Sequence, residues 1–337
     1  MSNETSYRNK ITYLSFILSV VVVFRHSINI DVYGLSSGFL FHFENWMREF
    51  TDLMVPMFFA LSGYLFYQNF NFSIIGKKFK TRFFSLVVPY FIWNIIAYTF
   101  YLTISSIRIL NQHLNQTVEP LTVSSVFENM LMGNYNITWF LRYLIIFTLI
   151  GPLFYPLMRY KKAGIALIIL VFILSQIKDY GEFGYLRCFT IYLAGEYIGC
   201  NFADYVKCEY SKKQMYFCLA YIVLTTVLYL FAPYRIYIRT YSLIRISQCV
   251  AIWISADCLR KLNQPKWWAY ISFFIYCSHI LFLEALEKMC LMIFGTGNVG
   301  AIIDILLAAP ITIVVLTTIA FFLRKAPILW GIITGNR

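Results

Sequence analysis

Two of the chain's four histidines fall inside long apolar runs, and an imidazole there can take or give a proton near neutral pH. His26 closes Val22-Val-Phe-Arg-His26. Ser15, Ser19, Val22 and His26 are spaced by four, three and four, so they share one helical face, and the remaining faces are Leu, Ile, Val and Phe. A helix with one polar stripe turns it toward the interior of a bundle. His26 is therefore a candidate general base, with a neutral histidine bonded to a neighbouring helix as the competing reading. The second histidine, His279, sits in Ile275-Tyr-Cys-Ser-His-Ile280, with Glu284 and Glu287 after it. Such a run fits either a polar cavity or a proton path.

Three further groups carry chemical potential. Val55-Pro-Met-Phe-Phe-Ala-Leu-Ser-Gly-Tyr64 holds a kink-forming proline and a Ser62-Gly63 pair that permits close helix approach, and packing alone explains it well. Lys77, Lys78, Lys80 and Arg82 precede Pro89-Tyr90. This cluster suits lipid headgroups, the phosphates of a cofactor such as coenzyme A, or topology alone. Trp139 and Arg142 are three apart and so neighbours on a helix surface. An Arg beside a Trp suits a carbohydrate or carboxylate, and equally an aromatic belt with a snorkelling Arg.

The elements that hold these residues are membrane helices. Of 337 residues, 60% are hydrophobic and 13% charged, against about 25% charged in soluble domains. Ten apolar runs stand near 11–30, 52–70, 83–104, 138–158, 163–177, 185–203, 214–232, 241–259, 268–293 and 299–323. Runs of roughly 20 apolar residues cross a bilayer core as helices, which satisfy their own backbone groups. The expected fold is an all-α, polytopic membrane bundle forming a single domain over 1–337. Within the first run His26 would lie about 22 Å from the end nearest Arg8 and Lys10.

Charge sets the expected orientation. Arg8, Lys10, the 77–82 cluster, Arg159, Lys161, Lys162, Lys207, Lys212, Lys213, Arg260, Lys261, Lys266, Arg324, Lys325 and Arg337 make 18 of the 28 basic residues. All fall in one alternate set of loops, which places both termini in the cytoplasm. The net charge of +12 follows from this rule and is no nucleic-acid signal. The eight cysteines form no CxxC and read as small core residues, not as a disulfide framework or a metal site. On the outer side lie two longer loops. Residues 31–51 hold His42, Glu44, Trp46, Arg48 and Glu49, and residues 105–137 are rich in Asn, Ser and Thr, with chance-level glycosylation sequons at Asn115 and Asn136. Glu196, Asp257 and Asp304 fall in or near spans without an evident role.

In order and spacing, these pieces resemble the acyltransferase-3 family of bacterial membrane acyltransferases, over nearly the whole chain. The resemblance rests on the first-span Val22-Val-Phe-Arg-His26, the 55–64 run, the basic stretch before Pro89-Tyr90, Trp139-Phe-Leu-Arg142 and Ile271-Ser-Phe-Phe-Ile-Tyr-Cys-Ser-His279. It implies transfer of an acyl group, usually acetyl, from cytoplasmic acyl-CoA to a hydroxyl of a surface glycan or its lipid-linked precursor, in the bacterial inner membrane, without a metal. It implies His26 as the catalytic residue, the 77–82 cluster at the CoA phosphates, and Trp139 and Arg142 at the acceptor. Ser62 and Tyr276 are candidate oxyanion donors, and a covalent acyl-enzyme stays open. The family often has an arginine eleven residues before its histidine. Here that position is Ser15, so its work falls to another group such as Arg82 or Arg142. A transporter or flippase is the competing function; intramembrane His and Glu fit it, while the lack of a repeat and of paired broken helices speaks against it.

Overall fold

Helix occupies most of the described part of each of the ten apolar runs in the computed structural model, which describes residues 3–28, 32–35, 37–107, 118–135, 138–179 and 181–336. The sequon at Asn115, the side chain of Asn136 and Arg337 lie outside the described residues. No strand occurs among the described residues. Seven helical segments are long and apolar enough to cross a membrane, and Trp139–Leu153 is a shorter apolar helix. Many large apolar side chains on these helices are exposed, among them Ile169, Phe217, Leu224 and Val314. Such faces are stable only against hydrocarbon or protein.

The chain divides into two compact units. The first holds Met1–Leu18, Asn45–Lys80 and Tyr143–Ala269; the second holds Ser19–Glu44, Thr81–Arg142 and Tyr270–Arg337. Three helices contribute to both: α1 (Asn3–His26), α2 (Gly38–Thr51) and α7 (Trp139–Ile150). A fourth, α4 (Ile75–Arg82), also crosses the division, so Lys77, Lys78 and Lys80 belong to the first unit and Arg82 to the second.

Two stretches expected as loops are partly helical. Residues 31–51 contain α2, and residues 105–137 contain α6 (Val123–Met132). Both were hidden because Glu, Arg and Asn interrupt their apolar residues, so neither makes a long hydrophobic run. Local signals do mark α6. Thr122 and Ser125 form a reciprocal cap at its start, and Gly133, at φ +68°, closes its end in the left-handed region. Helix α1 also differs from expectation, beginning at Asn3 and ending at His26.

In the first unit the seam is α3 (Met54–Tyr67) against α9 (Tyr185–Asn201). Gly195 and Gly199 form a GxxxG pair facing α3, while Gly63 faces back. A Cβ on Gly195 would stand 2.1 Å from the Ala60 carbonyl oxygen, and one on Gly63 would stand 2.3 Å from that of Tyr192. The backbones touch with no room for a methyl group. Gly195→Ala is therefore expected to cost about 1–3 kcal/mol by overpacking. A thermal melt of the detergent-solubilised variant should shift down, and an unchanged midpoint would contradict this packing. Helices α10 (Lys212–Leu230) and α11 (Tyr234–Ser255) pair through Tyr221–Ser247 at 2.6 Å and Gln248–Thr225 at 2.8 Å. Helix α8 (Lys161–Lys178) brings Gly164 against the Tyr197 ring of α9.

Buried charge in this unit is paired. The Lys10 ammonium donates to Asp257 Oδ1 at 2.9 Å, Arg260 Nε donates to the same oxygen at 2.7 Å, and the Tyr210 amide donates to Oδ2 at 2.9 Å. Lys10 also lies over the Trp253 ring at 3.9 Å. Lys10 and Arg260, counted in the sequence as loop cations, are thus enclosed with a counter-ion. Arg245 is also enclosed, donating to Glu49 at 3.1 Å and to Gln248 at 3.1 Å. All eight cysteines are free; four are buried, but Cys208 and Cys258 are exposed and so are not core residues.

The second unit centres on α12 (Ser272–Phe294) and α13 (Asn298–Leu323), with α5 (Val88–Ser106) and α14 (Pro327–Thr334). Residues Phe83–Val87 form a π-helical turn, with the Val88 amide donating to the Phe83 carbonyl. Pro89 explains it: proline has no N–H for the preceding turn and its ring crowds the carbonyl four residues back. The Trp93 indole donates to the Ile333 carbonyl at 2.9 Å, and Gly335 packs on Ser85 of that turn.

Candidate active site

The second unit brings the two apolar-run histidines together. Helix α1 stops at His26, where the Ser27 amide donates to Val23 and Phe24 carbonyls, both at 3.2 Å. Two turns into α12, His279 presents a ring whose centroid lies 5.3 Å from that of His26, with the planes 43° apart. His26 is half-buried, whereas His279 is fully enclosed.

His279 has a fixed tautomer. Its Nδ1 lies 2.8 Å from the Tyr276 carbonyl and 3.1 Å from that of Ile275. Both partners are acceptors, so Nδ1 carries the proton and Nε2 keeps its lone pair. That Nε2 is buried and has no hydrogen bond among the described residues. A buried acceptor of this kind is costly unless an N–H or O–H meets it. The arrangement can hold a donor, position a second imidazole, or help receive a proton.

Tyr276 shapes the same place. Its carbonyl sets the His279 tautomer, and its ring packs on Phe140 at 5.4 Å and near His279 at 6.2 Å. Glu284 lies further along α12, half-buried, and accepts a hydrogen bond from the Tyr101 hydroxyl of α5. Tyr101 stacks toward Tyr135 at 5.5 Å, and Tyr135 toward Tyr98 at 5.6 Å, forming an aromatic wall. Nearby in sequence, the Gly297 amide donates to the Tyr33 carbonyl at 2.9 Å. Burial, then the charge of buried Asp304 on α13, raise the Tyr33 phenol above its ordinary value.

Trp139 and Arg142 open α7, both half-buried. Their position comes from a polar knot that the sequence reading missed. Asn94 is buried in α5; Thr138 Oγ1 donates to its Oδ1 at 2.7 Å, and its Nδ2 donates to the Met130 carbonyl at 3.1 Å. An Asn within an apolar run was the available signal, as was Tyr101 opposite an acidic helix. Arg142 reaches the Met132 carbonyl at 3.4 Å.

The remaining sequence candidates fall as follows. Ser62 is half-buried on α3, in the first unit. Lys77 and Lys80 are exposed on α4. Lys78 is half-buried and turned back: its ammonium donates to the Phe66 carbonyl and, at 3.4 Å, to that of Gln68. It also lies over the Phe66 and Phe70 rings, at 5.2 and 5.6 Å. The end of α3 leaves carbonyls without helical partners, and a cation there meets both the orphan groups and the helix dipole. Lys78 therefore caps a helix in this structure. Among the described residues no three His, Cys, Asp or Glu side chains group as metal ligands.

A bundle of apolar helices, with two histidine rings adjacent in one unit, is the architecture of a polytopic membrane protein. The acyltransferase-domain family model matches residues 8–324, and the chain belongs to that acyltransferase-3 family. It is a membrane acyltransferase. Searches of curated proteins and of solved structures found no match.

Proposed function

We propose that this acyltransferase moves an acyl group, acetyl in the simplest case, from cytoplasmic acyl-CoA to a hydroxyl of a cell-surface glycan or its lipid-linked precursor, in the bacterial inner membrane. The observation that carries the reading is the half-buried His26 beside the enclosed, tautomer-fixed His279. His26 takes the proton of the acceptor hydroxyl as that oxygen attacks the thioester carbonyl. The tetrahedral intermediate expels the CoA thiolate, which recovers the proton from the imidazolium. The bare Nε2 of His279, unbonded in this structure, would receive the second N–H of His26 as the imidazolium forms, so His279 is a positioning residue.

The exposed Lys77 and Lys80 are the α4 cations with reach toward CoA phosphates, with Arg82 at the end of the same helix. Trp139 and Arg142 suit the sugar, by ring stacking and forked hydrogen bonds. Tyr101 and Glu284 add a hydroxyl and a carboxylate of the kind that sugars recognise.

The test supplies isotope-labelled acetyl-CoA to membrane vesicles from cells expressing the chain, beside vesicles from cells that lack it. Labelled, base-labile ester on glycan or glycolipid is the expected result. Vesicles that hold the inserted protein, bear surface glycan and gain no labelled ester would overturn the proposal.

A further inference from the structure

A cavity lies in the first unit, lined by α3, α9 and α11 beside the glycine contact of α3 and α9. Its volume is about 220 Å³. Met57, Leu61, Ile198 and Val250 are typical of its walls, which Ala60 and Gly195 also line. It runs to aromatic groups at one end, Tyr64, Tyr210 and Trp253. The run from Val55 to Tyr64 supplies four of the lining residues.

We propose that this cavity holds one alkyl chain of a bilayer lipid. Three observations point to that occupant. The lining is almost wholly hydrocarbon, so a polar ligand would lose its hydrogen bonds on entering. The cavity is not enclosed, and two of its lining residues on α11 reach the surface: Ile246 is half-buried and Val250 is 43% exposed. Both lie within Tyr234–Lys261, a segment apolar enough to span the membrane, so the medium at that opening is lipid tails. The aromatic end is also polar-tipped. The Tyr7 hydroxyl bonds that of Tyr64 at 3.0 Å, and Lys10 lies over Trp253 beside Asp257 and Arg260. An alkyl chain can fill the space up to that end but gains nothing by passing it.

Trp253 makes the occupant visible, because it lines the cavity yet is only 6% exposed. Lipid outside the protein therefore has little access to its ring. Bromine on an acyl chain quenches tryptophan at contact. Wild type and Trp253→Phe are reconstituted in nanodiscs of dibrominated and of ordinary phosphatidylcholine, and the difference isolates the Trp253 emission. The expected result is that brominated lipid removes most of that emission, and that Ala194→Phe, which fills the cavity, restores it. Unquenched Trp253 emission would overturn the proposal. So would quenching by a brominated acyl-CoA added to ordinary nanodiscs with none by brominated phospholipid, which would make the cavity a donor site. Native mass spectrometry of the wild type provides a readout independent of Trp253→Phe folding. A lipid retained through delipidation and lost in Ala194→Phe supports the assignment, and wild type that retains none opposes it.

Discussion

His26→Ala is expected to lower acyl transfer by about 10²–10⁴-fold, the usual contribution of a positioned general base. The side chain ends a helix and is half-buried, so its removal leaves little cavity, and membrane insertion should be unchanged. His279 acts through His26, and its variants should read differently. His279→Ala empties a fully enclosed position and also deletes the Nε2 that the proposed mechanism offers to the His26 ring. His279→Gln can restore an acceptor oxygen. A larger loss for alanine than for glutamine, with a displaced pH profile for the alanine variant, is what an orienting role requires. Equal losses and superimposable pH profiles would reduce His279 to packing. Glycan acylation that survives in His26→Ala would remove the general base from the mechanism altogether.

The largest expected loss of stability is at Asp257. One carboxylate serves two enclosed cations and a backbone amide: Lys10 at 2.9 Å, Arg260 at 2.7 Å and the Tyr210 N–H at 2.9 Å. Asp257→Ala leaves two positive charges buried without a counter-ion, and breaking a buried pair in this way costs about 3–5 kcal/mol. The variant should lose most of its folded yield, measured as the monodisperse fraction of solubilised protein on size exclusion. Lys10→Met in the Asp257→Ala background removes one of the stranded charges, and part of the yield should return. A double variant no better than the single one would mean that the carboxylate acts through its backbone hydrogen bond alone. These experiments read folding, so they stay independent of whether His26 is the base.

Much of this architecture was legible in advance because bilayer physics writes it in plain runs of apolar residues. The apolar runs announced a helical membrane bundle, although seven segments rather than ten are long and apolar enough to cross a membrane. What stayed hidden depends on distance in space. His26 and His279 are separated by most of the chain, and no periodicity can announce that α1 and α12 place their rings 5.3 Å apart. The sequence pattern also treats every lysine alike. It gave Lys78 and Lys10 to loop charge, whereas one caps α3 and the other is sealed against Asp257. Helices α2 and α6 escaped because amphipathic segments interrupted by Glu and Arg look like loops when only continuous hydrophobicity is weighed. Asn94 could have been noticed as a polar residue inside an apolar run, but its partner Thr138 could not.

The indole of Trp93 finds its acceptor at Ile333, 240 residues later in the chain. A ribosome adding about 5–20 residues per second delivers that acceptor roughly 12–48 s after Trp93 is made. During that interval α5 waits with an unsatisfied N–H and an uncovered π-helical turn. This part of the protein is therefore completed only once α14 has been made, and a nascent chain stalled before it would carry a defect that quality control could recognise.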